Sequence, residues 1–231
     1  MIGIICAMQS EMEKIHAIVP TKREEEVSGI HFYIGEAEGK EVVTAICGIG
    51  KVFAAMCAQT MILHYKPRMV INVGVAGSLT TALNIADIAI ATSLVQHDMD
   101  TSAIGDPKGL ISGINIIEIP CDESLGNLME ECVRESGIRG IKAVKGIIAS
   151  GDQFIADAGR KEEIIRDFKA IACEMEGAAI GQVCYVNHVP CLVLRAISDS
   201  ADASSHMDYP EFVKVASANS AAVIAKFLAK A

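Results

Sequence analysis

The sequence predicts an α/β domain whose central sheet is covered by helices on both faces. Short apolar runs rich in Ile and Val alternate with longer segments of helical periodicity, an alternation typical of this fold class. The 231 residues are 51% apolar, and no Pro/Ser-rich or highly charged linker divides them. We therefore expect a single domain spanning residues 1–231.

The first part of the chain predicts a strand, a helix, a hairpin and a second helix. An apolar run with strand character precedes a segment whose Met12, Ile15 and Ile18 share one helical face. Two strand-like runs flank the polar segment Gly35–Glu41 and indicate a hairpin. Small and apolar residues then indicate a mostly buried helix, which Pro67 follows. The elements are strands Ile2–Cys6, Ile30–Ile34 and Val42–Ala45 and helices Met8–Ala17 and Val52–Leu63.

The alternation continues to the end of the chain. Strand Met69–Val73 runs into Gly74–Ser78, where glycines permit a tight turn or a close approach of the backbone to a ligand. Ile85–Leu94 predicts one long strand or a strand pair, and His97–Asp100 opens a polar loop. The later elements are strands Ala143–Ala149, Ile171–Cys173 and Cys191–Ile197 and helices Asp122–Glu135, Gly159–Phe168, Met175–Asn187 and Tyr209–Ala229.

Charge and composition argue against nucleic acid and membranes as partners. The formal charge of −9, from 29 acidic residues against 20 Lys and Arg, would repel a phosphate backbone. Aromatic residues make up 4% of the chain and include no Trp, which leaves little for stacking on bases. No apolar run approaches the roughly twenty residues that a membrane span needs.

The N-terminus and the cysteines favour a cytoplasmic protein. Met1–Ala7 has no basic segment before its apolar stretch, and polar residues follow too early for a signal peptide. The eight cysteines include no Cys-x-x-Cys pair, so we expect reduced core residues rather than disulfides. Those in clearly apolar surroundings are Cys6, Cys47, Cys57, Cys173 and Cys191.

Polar residues follow several of the predicted strands. In sheets of this kind ligands bind beyond the carboxyl ends of the strands, so side chains from distant parts of the sequence are expected to converge there. These residues are Glu11, Gly74–Ser78, Ser150–Asp152, Glu174, Glu176, Ser198 and Asp199. We predict that they form one site.

Glu174 and Glu176 precede a predicted helix and diverge in direction. Residues two apart point to opposite sides of an extended backbone and differ by about 200° on a helix, so these acids are not expected to share a proton. One can face a ligand while the other pairs with a cation such as Arg195. The alternative is that both acids stabilise the positive end of the following helix.

Asp199 and Glu11 also have structural alternatives. A partly buried carboxyl at the end of a strand can hold the proton that a leaving group needs, but Asp199 could equally cap or turn the chain before the last helix. Glu11 lies about one turn into the first helix, where an acid stabilises the helix dipole whatever the function. Local sequence leaves both alternatives open.

Signals for metals and cofactors are weak. His97, Asp98 and Asp100 have metal-ligand side chains, but no second His cluster accompanies them at a fixed spacing. Gly48–Lys51 lacks the third glycine and the Ser/Thr of the nucleotide-binding fingerprints. The serines lack the nucleophile-elbow setting of serine hydrolases. We expect neither a metal nor a cofactor.

Six motifs follow one another along the chain: Ala7-Met8-x-x-Glu11, Gly48–Val52, Asn72–Gly77, Ser150–Ile155, Glu174–Ala178 and Arg195–Asp199. Taken together, they resemble the bacterial 5′-methylthioadenosine/S-adenosylhomocysteine nucleosidases. Val95–Asp100 together with Ser150–Phe154 looks closest to epsilonproteobacterial members. Each motif alone is weak, but their order over nearly the whole chain makes the resemblance specific.

The resemblance implies a fold and a reaction. The fold is that of the nucleoside phosphorylases, a three-layer α/β/α domain with a central mixed sheet. The reaction is hydrolysis of the N-glycosidic bond of 5′-methylthioadenosine and S-adenosylhomocysteine to adenine and the 5′-substituted ribose. This reaction implies a place in methionine salvage, and 5′-deoxyadenosine is a further expected substrate. Likeness to the epsilonproteobacterial members adds aminodeoxyfutalosine and, with it, menaquinone biosynthesis.

The resemblance also assigns roles to the polar residues at the strand ends. Glu11 matches the acid that activates the attacking water, and Asp199 matches the general acid that protonates adenine, with Ser198 helping to orient it. Glu176 matches the carboxylate that holds the ribose hydroxyls. The supporting pair beside it corresponds to Glu174 and Arg195.

The binding residues carry over in the same way. Phe154 would stack on adenine, Ile155 would offer backbone hydrogen bonds to its edge, and Met175 would pack beneath the ribose. The pocket for the 5′ substituent would be lined by Met8, Ile49 and Tyr209 and closed by Thr101 and Ile104 of a neighbouring subunit. The resemblance thus implies a homodimer, with Thr101 and Ile104 standing where bulkier side chains are common.

Val75 departs from the family pattern. Many nucleosidases of this kind have Ser at this position. Related phosphorylases also have Ser here, together with Arg where Asn72 stands, and use both to bind phosphate. Valine and a neutral amide cannot supply charge-assisted bonds to phosphate, so water is the expected nucleophile. Two alternatives remain: a futalosine or other purine nucleoside hydrolase or phosphorylase, and a catalytically inactive nucleoside-binding protein.

Overall fold

The computed structural model describes residues 1–199 and 209–231, with the backbone alone for residues 209–212. The strands are β1 Ile2–Cys6, β2 Thr21–Val27, β3 Ile30–Ala37, β4 Lys40–Ile46, β5 Val70–Ser78, β6 Ile88–Gln96, β7 Ile119–Pro120, β8 Ala143–Ser150, β9 Ala172–Glu174 and β10 Cys191–Asp199. The helices are α1 Gln9–Ile18, α2 Lys51–Tyr65, α3 Glu123–Glu135, α4 Ala158–Phe168, α5 Gly177–Val186 and α6 Tyr209–Lys230, with a 3-10 turn at Ser102–Ile104.

These strands form one mixed sheet. Its order is β10-β6-β8-β9-β5-β1-β4-β3-β2, with β7 beside β6. Strands β1, β4, β5 and β10 run parallel, whereas β2-β3-β4 form an antiparallel meander. Because β10 also pairs with β5, strands β5, β9, β8, β6 and β10 close into a ring. The predicted α/β class and mixed sheet are confirmed.

Two apolar cores lie on opposite faces of the sheet. Successive residues of a strand point to opposite faces, so Ile4 enters one core and Ile5 the other. The first core packs against α1, α3 and α6 through residues such as Phe227. The second packs against α2 and α5, where Met61 and Ile180 are fully buried. Helices on both faces leave the strand ends as the place where side chains of distant strands can meet.

The predicted hairpin exists, but its boundaries were wrong. Strands β3 and β4 continue through most of the polar segment Gly35–Glu41 and leave only Glu38 and Gly39 as the turn. Both turn residues have positive φ, +51° and +70°, as the tight hairpin turns that match strand twist require. Strand β2 was not predicted at all, since Thr21–Val27 is a polar, mostly exposed edge strand without apolar alternation.

The glycines of Gly74–Ser78 do not form a tight turn. They lie inside β5, where a Cβ at Gly74 would be 2.9 Å from Glu11 Oε1 and one at Gly77 would be 2.9 Å from Asp199 Oδ2. The close-approach alternative was therefore correct, with the side chains of the site as the neighbours. Of the two alternatives for Ile85–Leu94, the single strand β6 is observed.

The cysteines are free thiols, and Cys6, Cys47, Cys57, Cys173 and Cys191 are buried as predicted. Over the described parts of the chain, no helix is long and apolar enough to cross a membrane.

Candidate active site

A cleft lies at the carboxyl ends of β1, β5, β9 and β10, with an empty volume of about 660 Å³ that includes its open mouth. It is lined by Ala7, Met8, Glu11, Ile49, Val75, Ala76, Gly77, Gln153, Phe154, Ile155, Cys173, Glu174, Met175, Glu176, Ser198 and Asp199. Most of the wall is apolar, and carboxylates from three separate stretches of chain reach it. The strand-end argument therefore located the cleft.

Most of the predicted site residues line this cleft. They are Met8, Glu11, Ile49, Val75, Phe154, Ile155, Glu174, Met175, Glu176, Ser198 and Asp199. Arg195 lies beneath the wall and is almost fully buried. Thr101 and Ile104 are not among the lining residues; Thr101 donates its hydroxyl to Asp106 and Ile104 is 82% exposed. Tyr209 begins α6, but its side chain lies outside the described residues.

Glu11 connects the first helix to the central strand β5. Its Oε2 accepts hydrogen bonds from the backbone N–H groups of Ala7 and Met8, both at 3.0 Å, so it does cap its own helix. Its Oε1 accepts from the N–H of Val75 at 3.1 Å, a contact that capping does not require. Burial raises the pKa of Glu11, although Arg195 opposes the rise. A fixed carboxylate on the cleft wall is suited to hold and deprotonate a water.

Arg195 and Glu174 form a buried ion pair under the cleft. The guanidinium Nη2 donates to Glu174 Oε2 and to the side-chain oxygen of Asn72. Glu174 also accepts from the backbone N–H groups of Glu176 and Gly177, so the helix-terminus alternative is correct for this residue. Burial opposes ionisation, but Arg195 and these donors hold the pKa of Glu174 below its usual value. Glu174 is thus a structural anion.

Glu176 faces the cleft with fewer partners. Its Oε1 accepts from the N–H of Gly50 at 2.9 Å, and its Oε2 lies 4.0 Å from Arg195 Nη2. Burial, reinforced by the neighbouring charge of Glu174, raises the pKa of Glu176 to about 7. The two glutamates therefore diverge as their spacing predicts. Glu174 is committed to Arg195, and Glu176 remains available to hydroxyl groups in the cleft.

Asp199 is the last residue of β10 and lies beside Gly77 of β5. The hydroxyl of Ser198 donates to Asp199 Oδ1 at 3.1 Å. On the other side, the ammonium of Lys161 lies 3.7 Å from Oδ2. Residues 200–208, which follow directly, lie outside the described part of the structure, so the capping alternative for Asp199 stays untested.

Sequence reasoning missed several residues of the site. Gln153 and Cys173 line the cleft, and Lys161 approaches Asp199 from α4. A signal for Lys161 was present, because it shares the buried face of its helix with Ile164 and Phe168, where a charged residue is unusual. Nothing comparable marks Gln153, whose position depends on the loop between β8 and α4.

Val75 and Asn72 bear on anion binding. Val75 lines the cleft, whereas Asn72 is fully buried and uses its amide on the carbonyl of Ile5 and on Arg195. Among the described residues that line the cleft, none is Lys or Arg. This wall offers no charge-assisted donor to a phosphate group.

The possible metal ligands His97, Asp98 and Asp100 do not act together. Asp98 pairs with Lys51 Nζ at 2.7 Å, and Asp100 accepts from the N–H of Ser102. Within residues 1–199 and 209–231, no group of three His, Cys, Asp or Glu side chains is arranged to hold a metal ion.

The chain matches the family model of the phosphorylase superfamily over residues 1–229. It is 37% identical over 228 residues to a 5′-methylthioadenosine/S-adenosylhomocysteine nucleosidase of Shewanella loihica, covering 98% of each chain. It is 41% identical over 228 residues to an aminodeoxyfutalosine nucleosidase of Helicobacter pylori, covering 98% of this chain and 95% of the relative.

Solved structures of nucleosidases are also similar to this chain. One is a mutant Helicobacter pylori nucleosidase with 5′-methylthioadenosine in the active site, with TM-score 0.92, 38% identity and coverage of 100% of this chain and 98% of that chain. Another is the nucleosidase of Neisseria meningitidis in complex with methylthio-immucillin-A, with TM-score 0.93, 33% identity and coverage of 100% and 99%. The predicted resemblance, including its epsilonproteobacterial side, is confirmed.

Proposed function

The chain belongs to the phosphorylase superfamily, and we propose that it is a hydrolytic nucleosidase which cleaves 5′-methylthioadenosine and S-adenosylhomocysteine to adenine and the 5′-substituted ribose. One observation carries the proposal: Glu11, Glu176 and Asp199, from distant parts of the sequence, converge on one largely apolar cleft. A protein that only bound nucleosides would need a group for the ribose, but neither a water-activating acid nor a proton donor.

The reaction requires two charges to be stabilised at once. Breaking the glycosidic bond leaves positive charge on the ribose and negative charge on the base. Asp199 is the group we assign to proton donation at the purine N7, with Ser198 orienting it through the Oδ1 hydrogen bond. Glu176 holds the ribose hydroxyls, and its negative charge favours the cationic sugar in the transition state. Glu11 holds the water that attacks the anomeric carbon.

The spacing along β5 supports this division of roles. Glu11 contacts the strand at Gly74 and Val75, whereas Asp199 contacts it at Gly77. Two or three residues of extended strand span roughly 7 to 10 Å. The two carboxylates therefore contact different points along one strand, as expected if they act on different parts of one ligand.

The remaining lining residues fit a nucleoside with an apolar 5′ group. Phe154 is 70% exposed at the mouth of the cleft, where adenine could stack on it, and Ile155 follows with its backbone. Met175 adjoins Glu176 beneath the proposed ribose position, and Met8 and Ile49 contribute apolar wall. We assign the 5′ substituent to Met8 and Ile49. The contribution of Tyr209 stays a prediction, because its side chain lies outside the described residues. Aminodeoxyfutalosine and 5′-deoxyadenosine are further substrates of the proposed enzyme.

The proposal is tested by adenine release from 5′-methylthioadenosine in phosphate-free buffer. We expect turnover without phosphate and free 5-methylthioribose as the second product, because the described cleft wall has no cation for phosphate. An absolute requirement for phosphate, with a ribose 1-phosphate as product, would identify a phosphorylase. No adenine release under either condition would favour the inactive binding protein.

The raised pKa of Glu176 predicts how activity depends on pH. Below about pH 7 the free protein carries a protonated Glu176, which holds ribose hydroxyls and a cationic sugar less well than the carboxylate. We therefore expect kcat/KM to increase as the pH is raised through about 7. In Glu174→Gln the rise should move to lower pH, because the anion that helps to raise the pKa of Glu176 is gone.

The prediction is tested by measuring kcat/KM as a function of pH for the wild type, Glu174→Gln and Glu123→Gln. Thermal unfolding is recorded for each protein. Glu123 is an exposed acid in the first turn of α3 and serves as the control that should leave the profile unchanged. If a folded Glu174→Gln variant has the same profile as the wild type, the ionisation of Glu176 does not cause the rise of kcat/KM with pH.

We infer that the protein is a cytoplasmic homodimer in which Thr101 and Ile104 reach the neighbouring cleft. The support is an exposed apolar face on α2, beside the cleft residue Ile49, and the 82% exposure of Ile104. The exposed side chains of that face are Val52, Phe53, Met56 and Leu63.

An acidic side chain on this face should disrupt the dimer. We expect Phe53→Asp to reduce the mass measured by sedimentation equilibrium from two chains to one, because a charge buried in an interface lacks a partner. Val215→Asp, an equivalent change at an exposed apolar position of α6, is the control. A wild-type mass of one chain at micromolar concentration would contradict the inference.

A further inference from the structure

Lys161 is a buried cation that the proposed mechanism does not yet use. It lies on α4, on the face that also buries Ile164 and Phe168, and its side chain is only 9% exposed. Removing an ammonium group from water is costly unless a charged or polar partner compensates for it. Other basic residues of α4 pair near the surface instead, Arg160 with Glu163 and Arg166 with Asp167.

Lys161 lies beside one oxygen of Asp199. Its Nζ is 3.7 Å from Oδ2, while the hydroxyl of Ser198 donates to Oδ1. β5 presents the uncharged Gly77 to the carboxylate, and β9 contributes the thiol of Cys173. Burial, together with the charge of Asp199, raises the pKa of Cys173 to about 12, so this thiol is neutral at physiological pH. Lys161 is thus the charged neighbour that these described elements bring to Asp199.

We propose that Lys161 is a positioning residue for the proton transfer, whose ammonium stabilises the Asp199 carboxylate that forms when the proton moves to the purine. This inference rests on the proposed nucleosidase function. In the step, the O–H bond of Asp199 breaks and a bond from hydrogen to N7 forms. The electron pair of the glycosidic bond passes to the base, and water adds to the anomeric carbon while Glu11 takes its proton. No bond of Lys161 forms or breaks in the step.

An electrostatic role and a packing role predict different results. If Lys161 acts through its charge 3.7 Å from Asp199 Oδ2, a neutral side chain should lower kcat and leave KM nearly unchanged, because the charge matters only when the Asp199 carboxylate forms. Arginine keeps that charge and should keep most of kcat. If Lys161 only packed beside Asp199, arginine would not restore activity in preference to methionine.

The test is the pair of constants kcat and KM for Lys161→Met, Lys161→Arg and Arg166→Met beside the wild type. We expect Lys161→Met to lower kcat about tenfold with KM nearly unchanged, a smaller loss than the roughly 10²- to 10⁴-fold that a general acid contributes. Lys161→Arg keeps the charge and should retain most of kcat. Arg166→Met removes an exposed cation of the same helix and should change neither quantity.

A folded Lys161→Met protein with the kcat of the wild type, or equal losses of kcat in Lys161→Met and Lys161→Arg, would overturn the inference. Thermal unfolding reports whether the variant folds, and Lys161→Gln provides a second neutral side chain if Met is not accommodated. Adenine release by the wild type is measured in the same series. If the wild type is inactive, the proposed function fails; if it is active and kcat does not depend on the charge at position 161, only the role of Lys161 fails.

Discussion

Replacing Asp199 with Asn is expected to reduce kcat by about 10²- to 10⁴-fold while adenine and substrate analogues still bind. Asparagine has nearly the same volume and can accept the hydrogen bond of Ser198, but its amide cannot give a proton to the purine. The remaining walls of the cleft, including Phe154 and Glu176, are unchanged. Steady-state adenine release gives the rate, and calorimetry gives the affinity for adenine.

Asp122→Asn is the matched control for this change. Asp122 also follows a strand and precedes a helix, where it accepts a hydrogen bond from the N–H of Leu125, but it does not line the cleft. We expect its kcat to equal that of the wild type within a factor of about two. Equal turnover in Asp199→Asn and the wild type would remove Asp199 from the role of general acid.

Glu11→Gln is expected to reduce kcat by a similar factor, about 10²- to 10⁴-fold, for a different reason. A neutral amide cannot take the proton of the attacking water. In the wild type, one oxygen of Glu11 accepts from the N–H groups of Ala7 and Met8, and the other accepts from the N–H of Val75. In glutamine one of these acceptors becomes an NH₂ group, which cannot accept those hydrogen bonds. Some loss of stability should therefore accompany the loss of rate.

The two effects of Glu11→Gln can be separated by measuring thermal unfolding and analogue binding beside kcat. Glu123→Gln makes the same change in the first turn of α3, away from the cleft, and is the control for helix stabilisation. If Glu11→Gln only destabilises the fold and leaves kcat unchanged below the unfolding temperature, Glu11 is a capping residue and another group activates the water.

The location of the site could be predicted because it depends on local patterns and one general rule. Apolar runs with strand character identified β1, β5 and β10, and parallel strands bring their carboxyl ends together. Glu11 and Asp199 each follow or end such a strand, so their proximity to one cleft followed from the element assignments. The division between Glu174 and Glu176 followed from the two-residue spacing.

Features that depend on contacts between distant residues could not be predicted. The pairing of β10 with both β5 and β6, which closes the ring of strands, leaves no trace in the local pattern of either strand. Burial of Lys161 beside Asp199 depends on how α4 packs. Edge strand β2 lacks apolar alternation because it is mostly exposed and contributes little to the core. For Glu11, the sequence left a choice between helix capping and a role in the site, and the structure shows contacts of both kinds from the same side chain.

The central claim is that the carboxyl groups of Glu11, Glu176 and Asp199 act on different atoms of one nucleoside. A crystal structure of the protein with methylthio-immucillin-A tests this claim most directly. The claim predicts Asp199 within hydrogen-bonding distance of the five-membered ring of the base, Glu176 on the hydroxyl groups of the ribose mimic, and Glu11 on a water or on the adjoining hydroxyl. A ligand bound outside this cleft, or bound in it with Asp199 turned away from the base, would contradict the account.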